Sequence, residues 1–307
     1  MQKVSIIVTV LNEELTIFNL LESIAKQTVL PNEVIIIDGG SIDGTVKIIK
    51  IFSQKNPQLH LQVKIKKGNR SIGRNYAVQL AKHSLIAITD AGCVLDKKWL
   101  QELVTHYAKS NSSKVHTPVI AGYYSAKPKT DFQKAVVPYV LVMPDRVDRN
   151  NFLPATRSMM IEKNLFEKIG GFDEKLSDNE DYDLARKLVR QKISISFAQK
   201  AIVYWEPRKT LQEFYNMVFR FARGDIFAKI VRPKVILIFV RYIFFVLLFL
   251  SSKKIFLGTF ALYCFWAIQK NKRYVGGGYI YLPILQIVSD FAVMLGSVQG
   301  FLKRFIQ

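Results

Sequence analysis

The first two thirds of the chain alternate short β-branched runs with amphipathic segments, and this alternation limits the fold more than any other feature of the sequence. The runs have the length and composition of buried strands, and between them Leu15, Phe18 and Leu21 repeat at helical spacing. Strands are predicted at residues 4–10, 33–38, 61–66 and 85–90, and helices at 13–27, 45–53 and 71–83. This pattern predicts a doubly wound α/β opening with a mostly parallel sheet.

The alternation becomes less regular after residue 99. Strands are predicted at residues 119–124, 158–161 and 193–204, and helices at 181–191 and 211–227. The uneven spacing indicates a mixed sheet in this half. The predicted fold class is therefore α/β, a Rossmann-like mixed sheet flanked by helices and followed by hydrophobic C-terminal helices.

The composition shifts sharply toward apolar residues at about residue 225. Three apolar runs follow, at residues 235–250, 255–269 and 279–302, and they leave too few polar residues to cover them in water. We therefore predict a domain at residues 1–225 and a membrane-associated helical region at 226–307, with buried core helices as the alternative. Gly296 and Gly300 have the spacing that lets another helix approach closely.

Charge is distributed unevenly around these runs. Lys229, Arg232 and Lys234 precede the first run, and a second basic cluster follows the second run, at Lys270, Lys272 and Arg273. If the two runs form a hairpin, both clusters lie on one side of the membrane, and basic loops favour the cytoplasmic side. The catalytic domain is therefore expected at the cytoplasmic face, with the number of crossings left open.

The whole chain is both basic and hydrophobic. Lys and Arg number 44 against 24 for Asp and Glu, a net charge of +20, yet 50% of the residues are hydrophobic. This combination excludes a disordered chain and favours an anionic membrane surface or a phosphate-rich ligand over a nucleic acid. Cys93 and Cys264 are far apart, so reduced thiols are expected.

Three carboxylates lie where predicted strands end, which is where open α/β sheets bind ligands. Glu13 follows the first strand, Asp38 ends the second and Asp90 ends the fourth. Carboxylates at such positions accept hydrogen bonds from a ribose or a base, or hold a hard cation that bridges phosphates. For Asp43, in Asp-Gly-Thr, capping of the next helix is the favoured interpretation.

Five short motifs occur in order along the chain: VSIIVTVLNEE at 4–14, IDGGSIDGT at 37–45, SIGRN at 71–75, TDAGC at 89–93, and GGFD at 170–173 followed by NED at 179–181. Together they resemble family 2 glycosyltransferases, nucleotide-sugar enzymes with the GT-A fold. The resemblance covers roughly residues 3–225. It implies transfer of a sugar from a nucleoside diphosphate sugar, with UDP as the commoner carrier.

The resemblance also implies roles for individual residues. The base and ribose pocket would be lined by Thr9, Leu11, Glu13 and Asp38. Arg74 would lie near the diphosphate, and Asp90, followed by Ala91, would hold a divalent metal, Mg²⁺ or Mn²⁺. The sequence departs from the family pattern at Gly92, which replaces the second acid of the metal motif, at Gly39 and at Thr9. One carboxylate still suffices for Mg²⁺ in many sites.

Asp181 is the predicted general base, with Glu180 beside it. Two adjacent carboxylates repel each other, so Glu180 would raise the apparent pKa of the pair. The alternative is that both only form the acidic first turn of a helix. Less specific signals mark phosphate or acceptor contacts at Arg157, Trp205, Arg220 and Arg223, and lipid headgroups are an equal alternative for the last two.

These observations predict a membrane-attached inverting glycosyltransferase with a lipid-linked or polysaccharide acceptor. Two alternatives remain. A catalytically silent membrane-bound scaffold would explain Gly92 and Gly39, although Asp90 and Asp181 are both retained. A nucleotidyltransferase is disfavoured, because the loop at 11–14 lacks the glycines and basic residues of such enzymes.

Overall fold

The computed structural model describes residues 2–112, 116–149, 151–230 and 232–306. The chain divides into two compact units, one formed by residues 1–125 and 146–206 and the other by 126–145 and 207–307. This division assigns residues 207–225 to the same unit as the last helices, whereas the composition of the sequence predicts a domain boundary at residue 225. The domain limits at 1–225 and 226–307 stay a prediction.

The first unit is built on an eight-stranded mixed sheet. Its strands are β1 (Val4–Val10), β2 (Glu33–Asp38), β3 (Leu61–Ile65), β4 (Leu85–Ile88), β5 (Cys93–Leu95), β6 (Val119–Ala126), β7 (Met159–Glu162) and β8 (Ile195–Trp205). The order across the sheet is β3-β2-β1-β4-β7-β6-β8-β5. The first four strands are parallel, and β7 pairs antiparallel with both β4 and β6. The predicted mixed α/β fold is confirmed.

Helices follow the strands of this unit. They are α1 (Ile17–Ala25), α2 (Thr45–Lys55), α3 (Arg70–Leu80), α4 (Trp99–Asn111), α6 (Lys163–Lys168) and α7 (Glu180–Arg190). In the second unit lie α5 (Asp131–Val140), α8 (Leu211–Phe227), α9 (Pro233–Ser251), α10 (Lys253–Asn271) and α11 (Tyr281–Ile306). The sequence prediction missed α4, α5, α6 and β5. It also began α1 at residue 13, where the structure has a turn closed by Thr16 N–H and the Glu13 carbonyl, 3.0 Å apart.

The core of the first unit lies between the sheet and a layer that includes α3 and α7. Ile7, Ile35 and Ile86 from three parallel strands are fully buried, and Ala77 of α3 and Leu188 of α7 belong to the same cluster. Aliphatic side chains on consecutive buried strands are typical of parallel sheets covered on both faces. This packing fixes the carboxyl ends of β1, β2 and β4 at one edge.

In the second unit α8 and α11 cross closely at two glycines. A Cβ atom at Gly296 would lie 2.4 Å from the carbonyl oxygen of Phe219, and one at Gly300 would lie 3.0 Å from that of Arg223. Only glycine allows the two backbones to approach this far, so the close approach expected from Gly296 and Gly300 is confirmed.

Two helices among the described residues are long and apolar enough to cross a membrane, by length and composition only. They are Pro233–Ser251, of mean hydropathy 2.3, and Tyr281–Arg304, of mean hydropathy 1.5. Only 6% of the first is buried, against 39% of the second. α9 and α10 meet at Ser252 and pack through aromatic rings, with Phe245 and Tyr263 centroids 5.6 Å apart, as a hairpin requires.

One carboxylate lies deep among these apolar helices. Asp290 of α11 is 1% exposed and accepts hydrogen bonds from Arg241 Nη2 at 2.7 Å, Gln286 Nε2 at 3.0 Å and the Tyr263 hydroxyl. The Arg241 guanidinium also lies 4.5 Å from the centre of the Tyr263 ring. Three helices thus converge on one buried ion pair, which fixes their register.

We expect Asp290→Ala to destabilise the helical unit by about 3 kcal/mol, because it leaves the charge of the half-buried Arg241 without its carboxylate partner. Unfolding of the full chain in mixed detergent micelles, followed by circular dichroism, measures this loss. The double variant Arg241→Met with Asp290→Leu removes both charges, and most of the stability should return. Equal losses in the single and double variants would contradict the role given to the ion pair.

Candidate active site

The carboxyl ends of three neighbouring parallel strands bring the predicted acidic residues together. β1 lies between β2 and β4, Asp38 pairs with Val10 at the end of β2, and Asp90 comes two residues after β4. Glu13 follows β1 through a turn in which Asn12 has a φ of 54°, in the left-handed region. The predicted carboxylates therefore share one edge of the sheet.

The two carboxylate oxygens of Asp38 differ in the hydrogen bonds that they accept from the described residues. Its Oδ1 accepts hydrogen bonds from the backbone N–H groups of Gly40 at 2.9 Å and Ser41 at 2.8 Å. The side chain is buried, with 1% of its residue surface exposed, and in the described part of the chain no donor reaches Oδ2. A buried carboxylate oxygen without a donor is costly, so this oxygen is suited to accept a hydrogen bond from a ligand.

The two loops beside this edge are tied together by hydrogen bonds. Asn12 N–H donates to Ser41 Oγ at 2.8 Å, and Glu13 N–H donates to Thr45 Oγ1 at 2.8 Å. Asp43 accepts from the Thr45 backbone N–H at 3.1 Å and so satisfies one N–H of the first turn of α2, although the N-cap residue itself is Gly44. The resulting frame leaves Leu11 54% exposed beside the half-buried Thr9, as a wall that a flat base could contact.

α3 approaches β1 closely at Gly73, where a Cβ atom would lie 2.8 Å from the Thr9 methyl group. Arg74 follows Gly73 and is buried, with 2% of its surface exposed. Its Nη2 donates to Asp90 Oδ1 at 2.7 Å and its Nη1 donates to Glu180 Oε1 at 2.6 Å. The geometry favours a positioning role for Arg74, which holds two carboxylates, over a direct contact with a diphosphate.

At Arg74, Asp90 and Glu180, burial and neighbouring charges shift the pKa in opposite directions. Burial works to lower the pKa of Arg74, but the Asp90 and Glu180 carboxylates outweigh it and raise that pKa. Burial works to raise the pKa of Asp90, yet Arg74, Arg157 and Arg70 lower it on balance. At Glu180 burial dominates and the pKa is raised despite Arg74. Asp90 is thus the anion that this cluster of arginines stabilises.

The two oxygens of the Asp90 carboxylate are engaged to different degrees. Asp90 Oδ1 accepts a hydrogen bond from Arg74, whereas the one hydrogen bond that Oδ2 accepts from the described residues comes from the Thr156 hydroxyl at 3.3 Å. At Gly92, whose φ is 76°, a Cβ atom would come within 4 Å of Glu13 Oε2 alone, so the site beside Asp90 is open on that side. No set of three or more His, Cys, Asp or Glu side chains gathers for a metal among the residues the structure describes.

The predicted base region opens α7. Glu180 is 2% exposed and held by Arg74, whereas Asp181 is half-buried and accepts a hydrogen bond from the Tyr182 N–H at 2.8 Å. The charge of Asp181 contributes to the raised pKa values of both Glu180 and Tyr124. Of the two acids, Asp181 is the one accessible to a substrate.

Arg157 is held between two aromatic rings. Its guanidinium carbon lies 5.3 Å from the centre of the Tyr124 ring and 5.4 Å from that of Trp205. The Arg157 carbonyl accepts a hydrogen bond from the Thr89 hydroxyl at 3.0 Å, next to Asp90. Arg157, Trp205 and Asp90 therefore belong to one cluster, while the predicted phosphate or acceptor role of the first two stays a prediction.

Arg220 and Arg223 lie on α8 in the second unit, where Arg223 Nη1 donates to Gln299 Oε1 of α11 at 3.5 Å. Their predicted phosphate or acceptor role stays a prediction. Sequence reasoning missed Tyr124, Thr156 and Arg70, which join the site through the folding of distant segments. Of these only Arg70, next to the SIGRN motif, lay close to a signal that could have found it.

Comparison with known proteins finds a matching family model and curated relatives. A family model described as glycosyl transferase family 2 matches residues 5–170, more than half of the chain. Among curated proteins, the glycosyltransferase AglE of Haloferax volcanii is 22% identical over 225 residues, which are 73% of this chain and 73% of AglE.

Two solved structures share the fold. The mannosyltransferase PcManGT of Pyrobaculum calidifontis, in complex with GDP-Man and Mn²⁺, has a TM-score of 0.57 at 18% identity, covering 73% of this chain and 62% of that one. TarS of S. aureus, in complex with UDP-GlcNAc, has a TM-score of 0.53 at 22% identity, covering 72% of this chain and 66% of that one.

We expect Arg74→Met to destabilise the first unit by about 3–5 kcal/mol, because Asp90 and Glu180 lose their buried partner. Thermal unfolding measures the loss, with Arg70→Met as the matched control. Arg70 is 45% exposed and 3.8 Å from Glu180, so its removal should cost about 1 kcal/mol or less.

The Arg74→Met loss should shrink at acid pH. The depressed pKa of Asp90 adds stability above the pKa of the unfolded chain, and this stability disappears as pH falls through the folded value. A loss that stays constant with pH, or equals that of Arg70→Met, would contradict the bridging role.

Proposed function

The chain belongs to glycosyl transferase family 2, and on that premise we propose that it transfers a sugar, with inversion, from a nucleoside diphosphate sugar to a lipid-linked or polysaccharide acceptor at the membrane. The observation that carries the proposal is the acidic edge of the sheet, where Asp38 ends β2 and Asp90 follows β4 on either side of β1. Ligands of open α/β sheets bind at such an edge.

The nucleoside would bind beside β1 and β2. Leu11 offers an exposed apolar surface to the base, and the buried Oδ2 of Asp38 would accept a hydrogen bond from a base N–H or a ribose hydroxyl. Thr9 and Glu13 complete the pocket. UDP is the proposed carrier. The solved relatives bind UDP-GlcNAc in one case and GDP-Man in the other, so the base needs a direct test.

The diphosphate would lie at Asp90 and Ala91. Asp90 Oδ2 would hold Mg²⁺ or Mn²⁺, and such an ion, when bound, offsets the negative charge that develops on the departing diphosphate. Arg74 keeps Asp90 ionised and fixed in place. Arg157, stacked between Tyr124 and Trp205, presents a planar guanidinium of the kind that binds phosphate oxygens in pairs.

Asp181 would act as the general base. Its partly exposed carboxylate would take the proton from the acceptor hydroxyl while the hydroxyl oxygen attacks the anomeric carbon. The C–O bond to the diphosphate breaks on the opposite side, so one displacement inverts the anomeric configuration. Glu180, buried and bonded to Arg74, would position the start of α7.

The second unit supports action at a membrane. Two of its helices are long and apolar enough to cross one, and basic residues flank the α9–α10 hairpin at both ends. An excess of Lys and Arg marks the cytoplasmic side of membrane proteins, so the catalytic unit is proposed to act there.

Titration calorimetry of the solubilised chain with UDP and GDP, each with Mn²⁺ or with EDTA, tests the donor site. We expect micromolar binding of one nucleotide, weakened at least about tenfold by EDTA and by Asp90→Ala, because both remove the link to the diphosphate. Binding of neither nucleotide in either condition would favour the silent scaffold.

Substitution of the base should affect turnover and leave donor binding unchanged. We expect Asp181→Asn to lower kcat by about 10²- to 10⁴-fold, the usual contribution of a general base. Asp183→Asn on the same helix is the matched control, since Asp183 pairs with Lys187 at 3.3 Å. Proton NMR of the product gives its anomeric configuration. Retention of configuration, or equal effects of the two variants, would contradict the mechanism.

A further inference from the structure

The proposed mechanism uses the ring of Tyr124 but leaves its hydroxyl without a role. Tyr124 lies near the end of β6, three residues after Ala121, which pairs with Met159 of β7. Ile88, at the end of β4 and two residues before Asp90, pairs with the same Met159. Since β4 and β6 both run antiparallel to β7, they run in the same direction. This register places Tyr124 at the edge of the sheet where Asp90 lies.

The ring of Tyr124 is held by packed neighbours. The guanidinium carbon of Arg157 lies 5.3 Å from the ring centre. The Tyr123 ring stacks on it with centroids 6.2 Å apart, and the Phe152 ring lies 6.3 Å away at an angle of 47°. Aromatic and cation–π contacts of this kind stabilise one orientation of a ring. The hydroxyl is therefore carried by a packed ring within the first unit.

The hydroxyl of Tyr124 makes no hydrogen bond to the residues that the structure describes, although the side chain is half-buried. Two other half-buried tyrosines of this unit do use their hydroxyls. Tyr107 donates to Glu162 Oε1 at 2.5 Å, and Tyr204 donates to Asp96 Oδ2 at 3.4 Å. Because polar groups in such surroundings normally have partners, the Tyr124 hydroxyl is suited to a ligand.

Two charges of the candidate active site act on Tyr124. Burial raises the pKa of Tyr124, the Arg157 cation lowers it and the Asp181 carboxylate raises it, and the net shift is upward. The hydroxyl is thus protonated at neutral pH and is a hydrogen-bond donor. Arg157 is the proposed diphosphate contact and Asp181 the proposed base. An in-line displacement places the transferred sugar between such groups, in the region where Tyr124 lies.

We propose that the Tyr124 hydroxyl donates a hydrogen bond to a hydroxyl of the transferred sugar and thereby contributes to the choice of donor. Resting on the proposed function, this contact makes Tyr124 a residue that determines sugar specificity. A site that hydrogen-bonds a substrate hydroxyl rejects analogues that lack it, because the partner in the protein is then left unpaired.

Titration calorimetry of the full chain with Mn²⁺ compares nucleotide sugars with their nucleotides. UDP-glucose, UDP-galactose, UDP-GlcNAc and GDP-mannose are compared first, and the one that binds the wild type most tightly is used for the variants. We expect Tyr124→Phe to weaken this donor by about threefold to tenfold, the usual effect of one lost hydrogen bond. Binding of the nucleotide alone should change by less than about twofold. Equal effects on donor and nucleotide, or none on the donor, would overturn the contact.

Tyr107→Phe is the matched control. It removes the same atom from a half-buried tyrosine whose partner, Glu162, pairs with Leu85 at the end of β4 away from Asp90. We expect Tyr107→Phe to leave the affinities for both the donor and the nucleotide unchanged. If it weakened the donor as much as Tyr124→Phe does, the effect would come from the stability of the sheet, and the contact would be wrong.

Donors that each lack one sugar hydroxyl identify the atom that Tyr124 contacts. Removal of the contacted hydroxyl should weaken binding to the wild type but not to Tyr124→Phe, since the two changes remove the same hydrogen bond. Additive losses across the whole series would overturn the proposal. UDP and GDP test the proposed function on the same samples. Binding of neither would overturn that function, whereas nucleotide binding with no effect of Tyr124→Phe on the donor would overturn the contact alone.

Discussion

The first unit depends on one buried guanidinium. Arg74 joins Asp90, 16 residues away, to Glu180, 106 residues away, through two nitrogens of the same planar group. The end of β4 and the start of α7 are thereby fixed to each other, although they lie far apart in the sequence. Burying such a charge is favourable only when its partners are complete, so the loop that carries Asp90 and the helix that carries Asp181 form as one arrangement.

The second unit meets an opposite constraint, since its helices must expose apolar surface and still pack in one register. Close packing of α8 and α11 is provided by Gly296 and Gly300, where any side chain would collide with a backbone carbonyl. Specificity among α9, α10 and α11 comes from the ion pair of Asp290 and Arg241. Apolar contacts alone would permit many registers, whereas a buried ion pair permits one.

Much of the fold was predictable because its signals are local. β1, β2 and α8 lie at the predicted bounds, since β-branched runs and helical spacing set them without help from distant residues. α4 was missed because its buried apolar residues all lie in its first half, from Trp99 to Val104. α5 was missed because the polar Gln133 lies on its buried face and Pro138 lies inside the helix. At the site, strand-end carboxylates could be read from position alone. The burial of Arg74 and the stacking of Arg157 on Tyr124 and Trp205 could not, because they depend on segments brought together by folding.

Arg74 and Arg157 have the same side chain but different surroundings, and the surroundings give them different roles. Arg74 is buried, and two of its nitrogens donate hydrogen bonds to carboxylates, so its charge is neutralised within the protein. The guanidinium carbon of Arg157 instead lies over the aromatic rings of Tyr124 and Trp205, which attract the cation and leave its charge in place. With Gly92 in place of a second acid, fewer anions surround Asp90 than in a site with two carboxylates, and the positive field of Arg157 is opposed less. A cation fixed in this way needs little reorganisation when an anion approaches it.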